Sequence, residues 1–533
     1  MAAICDNAAD MKDIHLQSLS HDPIHGYIPF TSAGERKREP FGLHAATGPA
    51  GAAEFDRAKS VGAASAGTAS TGTASAGTKS VGAAADDSPA KGAAVLPPFE
   101  RDFIDHPWLQ RLRHIHQLQT AWWVFPTAEH TRFQHVLGAM HLGSRAAGAL
   151  YDSLREVCPD TPSRGYVESL LRLAGLLHDV GHGPFGHFFD EHFLADYGLT
   201  HETLGGAIIR RYFADAIVRI RGNPFSRLTP LESLDPEHIV FLITRPRDEA
   251  PTDSPLWLRL LRCLFSGLYT IDNMDFVLRD AYMSGYSPKA FDVDRLLHYS
   301  MFTEKGLTIH ERGLSALVRF ISVRAELFRA IYFHRTVRAI DLALEDLFVE
   351  SKRWIFPGNP LDHLDEYCEL TESSLLVDVA RWRRHPDGQL RKLGERWQEL
   401  LSRRIRWKMV CERTIFFAPG QSERSSIFSD RETFERALRA ALPASCRDIP
   451  LKVDTARHVH RPGTRAPAGR QNFLYDPLTR EIRSLDDREI FRRIATSFRV
   501  CRVYALDHEH DRELAAAVDQ LSGGGGEDDA TNM

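Results

Sequence analysis

The most informative stretch of this 533-residue sequence reads Leu176-Leu177-His178-Asp179-Val180-Gly181-His182-Gly183-Pro184-Phe185-Gly186-His187-Phe188-Phe189-Asp190. An apolar helix is predicted to run up to His178, where the glycines and the proline that follow end it. Neighbouring helical side chains point about 100° apart, so His178 and Asp179 can converge on one ion only at the helix end. Imidazole and carboxylate ligands together favour a divalent transition metal such as manganese, iron, zinc, nickel or cobalt.

Histidine is concentrated around this stretch, since 11 of the 25 histidines lie between His106 and His201. Two ligands hold a catalytic metal poorly, so further ligands are expected elsewhere in the chain. His135 and Asp272 each lie in a segment with helical periodicity, and neither would stand out as a ligand alone. Together with His178 and Asp179 they give the order His…His-Asp…Asp along the chain.

This order, together with the pattern His-Asp-x-Gly-His-Gly-Pro-Phe-x-His that starts at His178, resembles the HD phosphohydrolase superfamily. Further motifs extend the resemblance to the deoxynucleoside triphosphate triphosphohydrolases, in the branch with the sterile-alpha-motif and HD-domain enzyme and its bacterial relatives. These motifs are Asp22-Pro23-Ile24-His25-Gly26, Gln110-Arg111-Leu112-Arg113, Phe125-Pro126, Arg132-Phe133-Gln134-His135 and His201-Glu202. The resemblance covers roughly residues 20–31 and 97–350 and includes no sterile-alpha-motif domain.

The resemblance implies roles for individual residues. The metal ligands would be His135, His178, Asp179 and Asp272, and the catalytic residues that handle protons near the α–β phosphates would be His182, Asp190 and His201. The triphosphate, accompanied by magnesium, would contact Arg132, His187 and Arg324. The deoxyribose and base would contact Gln117, Leu118, Asp280 and Tyr332. Asn273 and Phe276 are also expected to face the substrate, where the family's better-known enzyme has a phosphate-binding lysine and a sugar-contacting tyrosine.

The implied reaction is the metal-dependent hydrolysis of a deoxynucleoside triphosphate to deoxynucleoside and inorganic triphosphate, as in a dGTPase-like enzyme. Two alternatives stay open. Because Asn273 and Phe276 remove one cation and one hydroxyl, the chain could be another HD phosphohydrolase, acting on a nucleoside monophosphate or a cyclic or modified nucleotide. It could also be a nucleotide- or nucleic-acid-binding regulator with little turnover, since the basic runs 381–385 and 403–408 carry interleaved aromatics.

A regulatory site is also implied by the resemblance. Asp105, Gln110 and Arg113 match positions that bind an activating guanine nucleotide in allosteric members of the family, which assemble as tetramers. A carboxylate and an arginine can pair with the edges of guanine. The alternative is that these residues belong to a salt-bridged surface helix. The resemblance also implies a homo-oligomer, either a dimer or a tetramer.

Helical periodicity dominates from Pro98 to about Glu350, so the fold class is mainly α: a helical HD-domain core with a smaller C-terminal α+β region. The predicted helices are 108–119, 133–151, 167–179, 201–213, 256–280, 313–350 and 431–441. The predicted strands are 414–417, 449–453, 472–475 and 498–505, after a short strand within 22–30. The predicted division is an N-terminal segment (1–31), a low-complexity flexible insertion (32–96), a catalytic domain (97–355), an α+β region (356–520) and a disordered tail (521–533).

Composition excludes several classes of protein. A net charge of -5 disfavours a bulk nucleic-acid binder, which usually carries a basic footprint. None of the seven cysteines falls at C-x-x-C spacing, so a zinc ribbon is not predicted and reduced thiols in a cytoplasm are expected. No uncharged apolar stretch approaches the roughly 20 residues of a membrane helix.

Overall fold

The structure is a computed structural model that describes residues 17–32, 97–244, 253–417, 426–459, 473–485 and 497–522. Nearly all of the predicted insertion and tail lie outside these ranges. The described part of the chain is mainly α with small sheets, as predicted. The helices are α1 (Glu100–Ile104), α2 (Pro107–Gln110), α3 (Arg132–Val157), α4 (Arg164–Leu177), α5 (His187–His192), α6 (His201–Ile208), α7 (Ala214–Arg219), α8 (Pro236–Ile243), α9 (Leu256–Leu261), α10 (Ile271–Met283), α11 (Val293–His298), α12 (Leu314–Leu327), α13 (Arg335–Ile355), α14 (Leu364–Glu369), α15 (Glu372–Trp382), α16 (Gly388–Leu401), α17 (Arg431–Ala441) and α18 (Asp511–Leu521).

The strands of the described residues form three separate sheets. They are β1 (Gln17–Asp22), β2 (Gly26–Thr31), β3 (Ser300–Thr303), β4 (Gly306–His310), β5 (Lys408–Phe417), β6 (Leu451–Val459), β7 (Phe473–Asp476), β8 (Glu481–Ser484) and β9 (Ser497–Ala505). Strands β1 and β2 pair as an antiparallel hairpin, and the order in the second sheet is β3-β4-β7-β8, with β4 and β7 parallel. In the third sheet β9 is the central antiparallel strand between β5 and β6, and all nine of its residues are buried.

Helices α3 and α4 form the centre of the main core. A capping box at Thr131 begins α3, and the Ser163 hydroxyl caps α4 by accepting from the Tyr166 N–H. Every residue of α4 after Arg164 is buried, as expected for a helix surrounded by others. The two backbones lie close together because Gly143 has no side chain, and a Cβ there would lie 2.6 Å from the Leu171 carbonyl oxygen.

The main core continues through α14, α15 and α16, whose apolar faces include Tyr367 and Trp397. A second core lies between the β5-β9-β6 sheet and helices α17 and α18. The apolar packing therefore changes between Leu401 and Lys408, further along the chain than the predicted boundary at 355/356, which remains a prediction. Among the described helices, none has the length and apolar character needed to cross a membrane.

Three of the predicted helices are interrupted. The segment 108–119 is a short helix followed by a 3-10 turn at Arg111–His114, where the Arg111 guanidinium donates to the carbonyl oxygens of His182 and Leu370. The segment 256–280 ends at Leu264 and begins again at Thr270, whose hydroxyl caps α10. The segment 313–350 is divided by a π turn at Phe328–Tyr332. The β3–β4 hairpin was not predicted.

Candidate metal centre

The four predicted metal ligands come together from three helices. His135 lies in the first turns of α3, His178 and Asp179 follow the last residue of α4, and Asp272 lies in the first turn of α10. The His135 Nε2 atom is 3.2 Å from the His178 Nε2 atom and 3.2 Å from the Asp272 Oδ1 atom. The Asp179 carboxylate lies 3.4 Å from the His178 Nε2 atom and 3.9 Å from the His135 Nε2 atom.

The hydrogen bonds of the two imidazoles fix which nitrogen carries the proton. The His178 Nδ1–H donates to the Gly175 carbonyl oxygen at 2.8 Å, and the His135 Nδ1–H donates to the Asp275 carboxylate at 2.7 Å. In the neutral imidazoles both Nε2 atoms therefore carry lone pairs, and these face each other and Asp272. Electron-rich atoms this close to one another fit a shared divalent cation, with the outward N–H groups bonded as in metal-binding histidines.

Without a cation, the carboxylates would pull protons onto this cluster. Burial lowers the pKa of His135, but its hydrogen bonds to Asp272 and Asp275 outweigh burial and raise that pKa to about 10. Burial alone would raise the pKa of Asp272, and the two histidines instead hold it below the usual value. This mutual dependence is typical of a donor set that accepts either protons or a metal.

A second cluster lies beside the first and contains the predicted proton-handling residues. His182, His187, Asp190 and His201 bring one donor atom each within 4.8 Å of one another. The His201 Nδ1–H donates to Asp190, and the rings of His182 and His201 are stacked 3.7 Å apart. Parallel stacked rings do not aim their nitrogen lone pairs at a common point, so this cluster is better suited to proton transfer than to metal binding.

Burial and neighbouring charges shift the pKa values of His182 and Asp190 in this second cluster. Burial, Arg132 and His201 together lower the pKa of His182 well below its usual value. Burial raises the pKa of Asp190, but the neighbouring His182 and His201 outweigh burial and lower it. The arrangement is a half-buried carboxylate, 15% exposed, that is hydrogen-bonded to an imidazole 13% exposed at the cavity wall.

Arg132 links the two clusters. Its guanidinium donates to the Asp179 carboxylate at 2.6 Å, and both side chains are buried. The guanidinium packs against Gly186, which has φ +56° and ψ -120°, a conformation that favours glycine. A Cβ at Gly186 would lie 2.3 Å from the Arg132 Nη2 atom. The second half of the quoted motif therefore makes room for Arg132.

The clusters open into a cavity of about 280 Å³. The predicted residues that line it are Gln117, Leu118, Arg132, His178, Asp179, His187, His201, Asp272, Phe276, Asp280 and Tyr332. The π turn at Phe328–Tyr332 presents Tyr332 to this wall, where its hydroxyl donates to Asp280. Asp280 also accepts from the His130 Nε2–H at 2.7 Å. The predicted residues from distant parts of the chain thus surround one space.

Two predicted substrate residues are not in the lining of this cavity. Arg324 is buried and donates to the carbonyl oxygens of Leu268 and Val459, and burial lowers its pKa to about 10. Asn273 follows Asp272 on α10, and its backbone N–H donates to the Thr270 hydroxyl. His135, His182 and Asp190 lie behind the wall, in contact with residues that line it.

Sequence reasoning assigned no role in the site to four polar residues of the lining, which are Gln119, Glu202, Arg338 and Asp341. Asp341 accepts hydrogen bonds from Thr120 at 2.5 Å, from Gln119 at 3.3 Å and from Arg338 at 2.9 Å. Gln119 has φ +49°, which is uncommon for a residue with a side chain. Such backbone conformations are often found at binding and active sites. Arg338 and Asp341 are three apart on α13, and this spacing was the available signal.

The proposed guanine-nucleotide residues lie on the surface around α2. Asp105 forms an ion pair with Arg101 at 3.1 Å, and Arg113 donates to the Gln110 side chain at 2.8 Å. The Gln110 amide also donates to the Ile104 carbonyl oxygen at 2.7 Å. The three predicted side chains therefore occupy one surface region.

Comparisons with known proteins show what the chain is similar to. The sequence profile of the HD domain matches residues 132–235. The chain is 26% identical to the deoxynucleoside triphosphate triphosphohydrolase SAMHD1 homolog of Dictyostelium discoideum, over 53% of this chain and 52% of that protein. It is 26% identical to the SAMHD1 enzyme of Homo sapiens, over 69% of this chain and 60% of that protein, and 27% identical to the uncharacterized protein YwfO of Bacillus subtilis, over 56% and 65%.

The chain thus spans between about half and two thirds of these relatives. A crystal structure of a hypothetical protein from Aquifex aeolicus matches the fold with a TM-score of 0.58 and 21% identity, covering 94% of this chain and 100% of that chain. Residues 132–235 thus match the HD domain, and the chain is similar to deoxynucleoside triphosphate triphosphohydrolases that are 26% to 29% identical to it.

Proposed function

We propose that this chain is a metal-dependent phosphohydrolase that converts deoxynucleoside triphosphates to deoxynucleoside and inorganic triphosphate. One observation carries the proposal: the donor cluster of His135, His178 and Asp272, with the Asp179 carboxylate beside it, and the His201–Asp190 pair lie side by side at the wall of one cavity. His135, His178, Asp179 and Asp272 would hold the divalent cation. The bound cation would supply Lewis acidity at the phosphoryl oxygens of the substrate.

The surrounding residues suit the remaining chemistry. Arg132 and His187 face the cavity and would neutralise charge on the triphosphate. Water would add to the α-phosphorus, and the bond from that phosphorus to the 5′-oxygen would break. His201, held by Asp190, would deliver the proton that the departing 5′-oxygen requires. The products are then a deoxynucleoside and intact triphosphate, and His182 would support the ring of His201 by stacking.

The residues at one end of the cavity are suited to binding the nucleoside part of the substrate. Gln117, Leu118 and Phe276 offer an amide, an aliphatic side chain and an aromatic ring, and Asp280 and Tyr332 form a hydrogen-bonded pair beside them. With Phe276 in place of a tyrosine, this wall contacts the substrate through an apolar face. Asn273 and Arg324 lie outside the lining and would influence the substrate only indirectly.

A product assay tests the reaction. Purified protein with Mn²⁺ or Mg²⁺ is given each of the four deoxynucleoside triphosphates, and products are separated by ion-exchange chromatography. We expect inorganic triphosphate and deoxynucleoside, absent in Asp179→Ala. We expect Asp190→Asn to keep its metal and to lose about 100-fold or more in kcat. Monophosphate with pyrophosphate, or no turnover, would instead favour another HD phosphohydrolase or a binding protein with little turnover.

Activation by a guanine nucleotide is the second proposal. Asp105, Gln110 and Arg113 share one surface region, where a carboxylate, an amide and a guanidinium could read a guanine edge. The same product assay with added GTP tests it, with light scattering to detect a dimer or tetramer. Turnover that rises with GTP in the wild type but not in Arg113→Ala supports the site, and equal turnover with and without GTP contradicts it.

A further inference from the structure

The Asp-Pro-Ile-His-Gly motif at residues 22–26 forms the turn between β1 and β2 and is not part of the cavity lining. We propose that His25 of this turn and Asp275 are positioning residues for His135, through which the N-terminal hairpin sets the metal affinity of the centre. The proposal rests on the metal-binding part of the proposed function and does not depend on which phosphate ester is hydrolysed.

Asp275 is a fully buried carboxylate that accepts four hydrogen bonds. Its Oδ1 atom accepts from His25 Nε2–H at 2.7 Å and from Arg279 Nη2–H at 2.8 Å. Its Oδ2 atom accepts from His135 Nδ1–H at 2.7 Å and from Arg279 Nε–H at 2.9 Å. A carboxylate has about four lone-pair directions, so all of them are in use and the group cannot rotate without breaking a bond.

The same network ties the hairpin turn to α10. The Asp22 Oδ1 atom accepts from the backbone N–H groups of Ile24 and His25 at 2.9 Å each, which fixes the shape of the turn. The Asp22 Oδ2 atom accepts from the Arg279 Nη1–H at 2.8 Å. Arg279 therefore holds both carboxylates, and the position of His25 follows from that of Asp275.

Gly138 provides a second observation for this placement. It lies three residues after His135 on α3, beside the Asp275 carboxylate. A Cβ at Gly138 would lie 1.9 Å from the Asp275 Oδ1 atom and 2.4 Å from the Arg279 Nη2 atom. The absence of a side chain at Gly138 lets the Asp275 carboxylate approach the helix that carries His135. A larger residue at this position would displace Asp275 or Arg279.

The consequence for His135 is orientational. While Asp275 stays fixed, the His135 Nδ1–H keeps its acceptor and the Nε2 lone pair keeps facing His178 and Asp272. Loss of the His25 donor leaves the Oδ1 atom with one partner instead of two, which loosens the Asp275 carboxylate and the imidazole bonded to it, while Arg279 still bonds both oxygens. Direct partners of metal-binding histidines, as Asp275 is of His135, contribute about 10- to 100-fold to metal affinity, so the loss of His25 should have an effect at the lower end of this range.

The test measures metal binding directly. Wild type, His25→Leu and His25→Gln are stripped of metal, and the affinity for Co²⁺ is measured by competition with a chromophoric chelator, together with the visible spectrum of the bound Co²⁺. We expect about tenfold weaker binding and an altered spectrum for His25→Leu, and recovery in His25→Gln, whose amide can still donate. His141→Leu is the matched control, because its ring lies 5.3 Å from His25 but outside the network.

Wild-type affinity and spectrum in His25→Leu would overturn the inference. If His25→Leu does not fold, Gly138→Ala tests the same point by displacing Asp275, and an unchanged Co²⁺ affinity in that variant would overturn it equally. Turnover of the wild type is measured in the same preparation. Wild type that binds Co²⁺ as expected without hydrolysing any deoxynucleoside triphosphate contradicts the proposed reaction alone, whereas active enzyme with unaffected His25→Leu binding contradicts this inference alone.

Discussion

Gln117 carries a buried polar atom that lowers the stability of the fold and that a substrate could bind. Its side-chain oxygen is buried at the cavity and has no hydrogen-bond partner among the residues that the structure describes. A buried acceptor without a partner costs about 1–3 kcal/mol. A hydroxyl of a bound deoxyribose is a donor of the required kind, so the cost would be offset only when substrate is present.

Gln117→Leu should therefore separate stability from function. We expect the free energy of unfolding of the substrate-free protein to rise by about 1 kcal/mol, because an unsatisfied polar atom is removed. We expect KM for a deoxynucleoside triphosphate to rise about tenfold, the value of one hydrogen bond. Urea unfolding and steady-state kinetics measure the two effects. A 2′,3′-dideoxynucleotide, which lacks the donor, should show little change in KM, and an equal change for both substrates would contradict the assignment.

At this scale, the resemblance located residues that composition and spacing could not. His135, His178 and Asp272 are separated along the chain, and only the family pattern indicated that they meet. The hydrogen-bond network of His25, Asp275 and Arg279 was not predicted, because none of these residues is unusual in its own segment of the sequence. Asp275 and Arg279 read as an ordinary i, i+4 pair on a helix, and nothing in the sequence alone indicates that His25 reaches them.

Among the structural elements, the loop from Gly181 to Gly186 carries the most constrained backbone of the site. Phe185 has φ +61° and Gly186 has φ +56°, so two successive residues adopt conformations that side chains disfavour. Phe185 is fully buried, and this burial holds the loop in place. The strained turn directs His187 toward the cavity and leaves space for Arg132.

Gly186→Ala is expected to disturb Arg132, and Gly198→Ala is the matched control. Gly198 also has a positive φ, at +67°, but a Cβ there meets no atom within 4 Å. We expect Gly198→Ala to lower the free energy of unfolding by about 1 kcal/mol without changing kcat/KM. Gly186→Ala should lower it by about 2–3 kcal/mol and reduce kcat/KM at least tenfold. Equal effects on kcat/KM would show that the contact with Arg132 is unimportant.

The bounds of a helix or strand were predicted well only where a local sequence signal marks its beginning or its end. The helix at Arg431–Ala441 was predicted at its observed bounds, because Asp430 is an N-cap and an apolar stripe follows it. Segment 313–350 has continuous helical periodicity, yet it is divided where the His334 side chain caps a new helix. The β3–β4 hairpin is completed by β7, more than 160 residues later, and such pairing has no local signal.

Helix α2 begins with an N-cap that is sensitive to pH. The His106 Nδ1 atom accepts from the Trp108 N–H at 3.3 Å, so this nitrogen must be unprotonated in the folded protein. Burial lowers the pKa of His106 from 6.5 to about 4. Between these values the unfolded chain binds a proton that the folded chain does not, so this residue makes stability fall as pH falls from 6.5 towards 4.

His106→Asn should remove this dependence while keeping a side chain that caps the helix. Between pH 7 and pH 5 the wild type should lose about 2 kcal/mol more of its free energy of unfolding than the variant loses. Urea unfolding at both pH values gives the comparison, and protonation of the carboxylates cancels because both proteins share them. The same loss in both proteins would mean that His106 titrates normally in the fold.

For the whole molecule, the decisive contact joins the C-terminal sheet to the wall of the cavity. Arg338 of α13 donates to Asp454 of β6 at 2.7 Å and 3.1 Å, and to Asp341 at 2.9 Å. Burial raises the pKa of Asp454, but Arg338 outweighs burial and keeps it below the usual value. Since Arg338 and Asp341 line the cavity, the position of the sheet and the shape of the cavity depend on each other.

Removing one partner of the Arg338–Asp454 pair should lower the free energy of unfolding, and replacing both partners should restore part of it. Asp454→Leu leaves the Arg338 charge without its main partner, and we expect the free energy of unfolding to fall by about 3–5 kcal/mol. Adding Arg338→Met removes that charge as well, and the double variant should recover at least half of the loss, since a well-packed apolar pair avoids the cost of burying ions. Asp341 keeps its bonds to Thr120 and Gln119 in both variants. Chemical denaturation of the four proteins completes the cycle, and a double variant no more stable than Asp454→Leu would mean that the pair is not the connection between sheet and cavity.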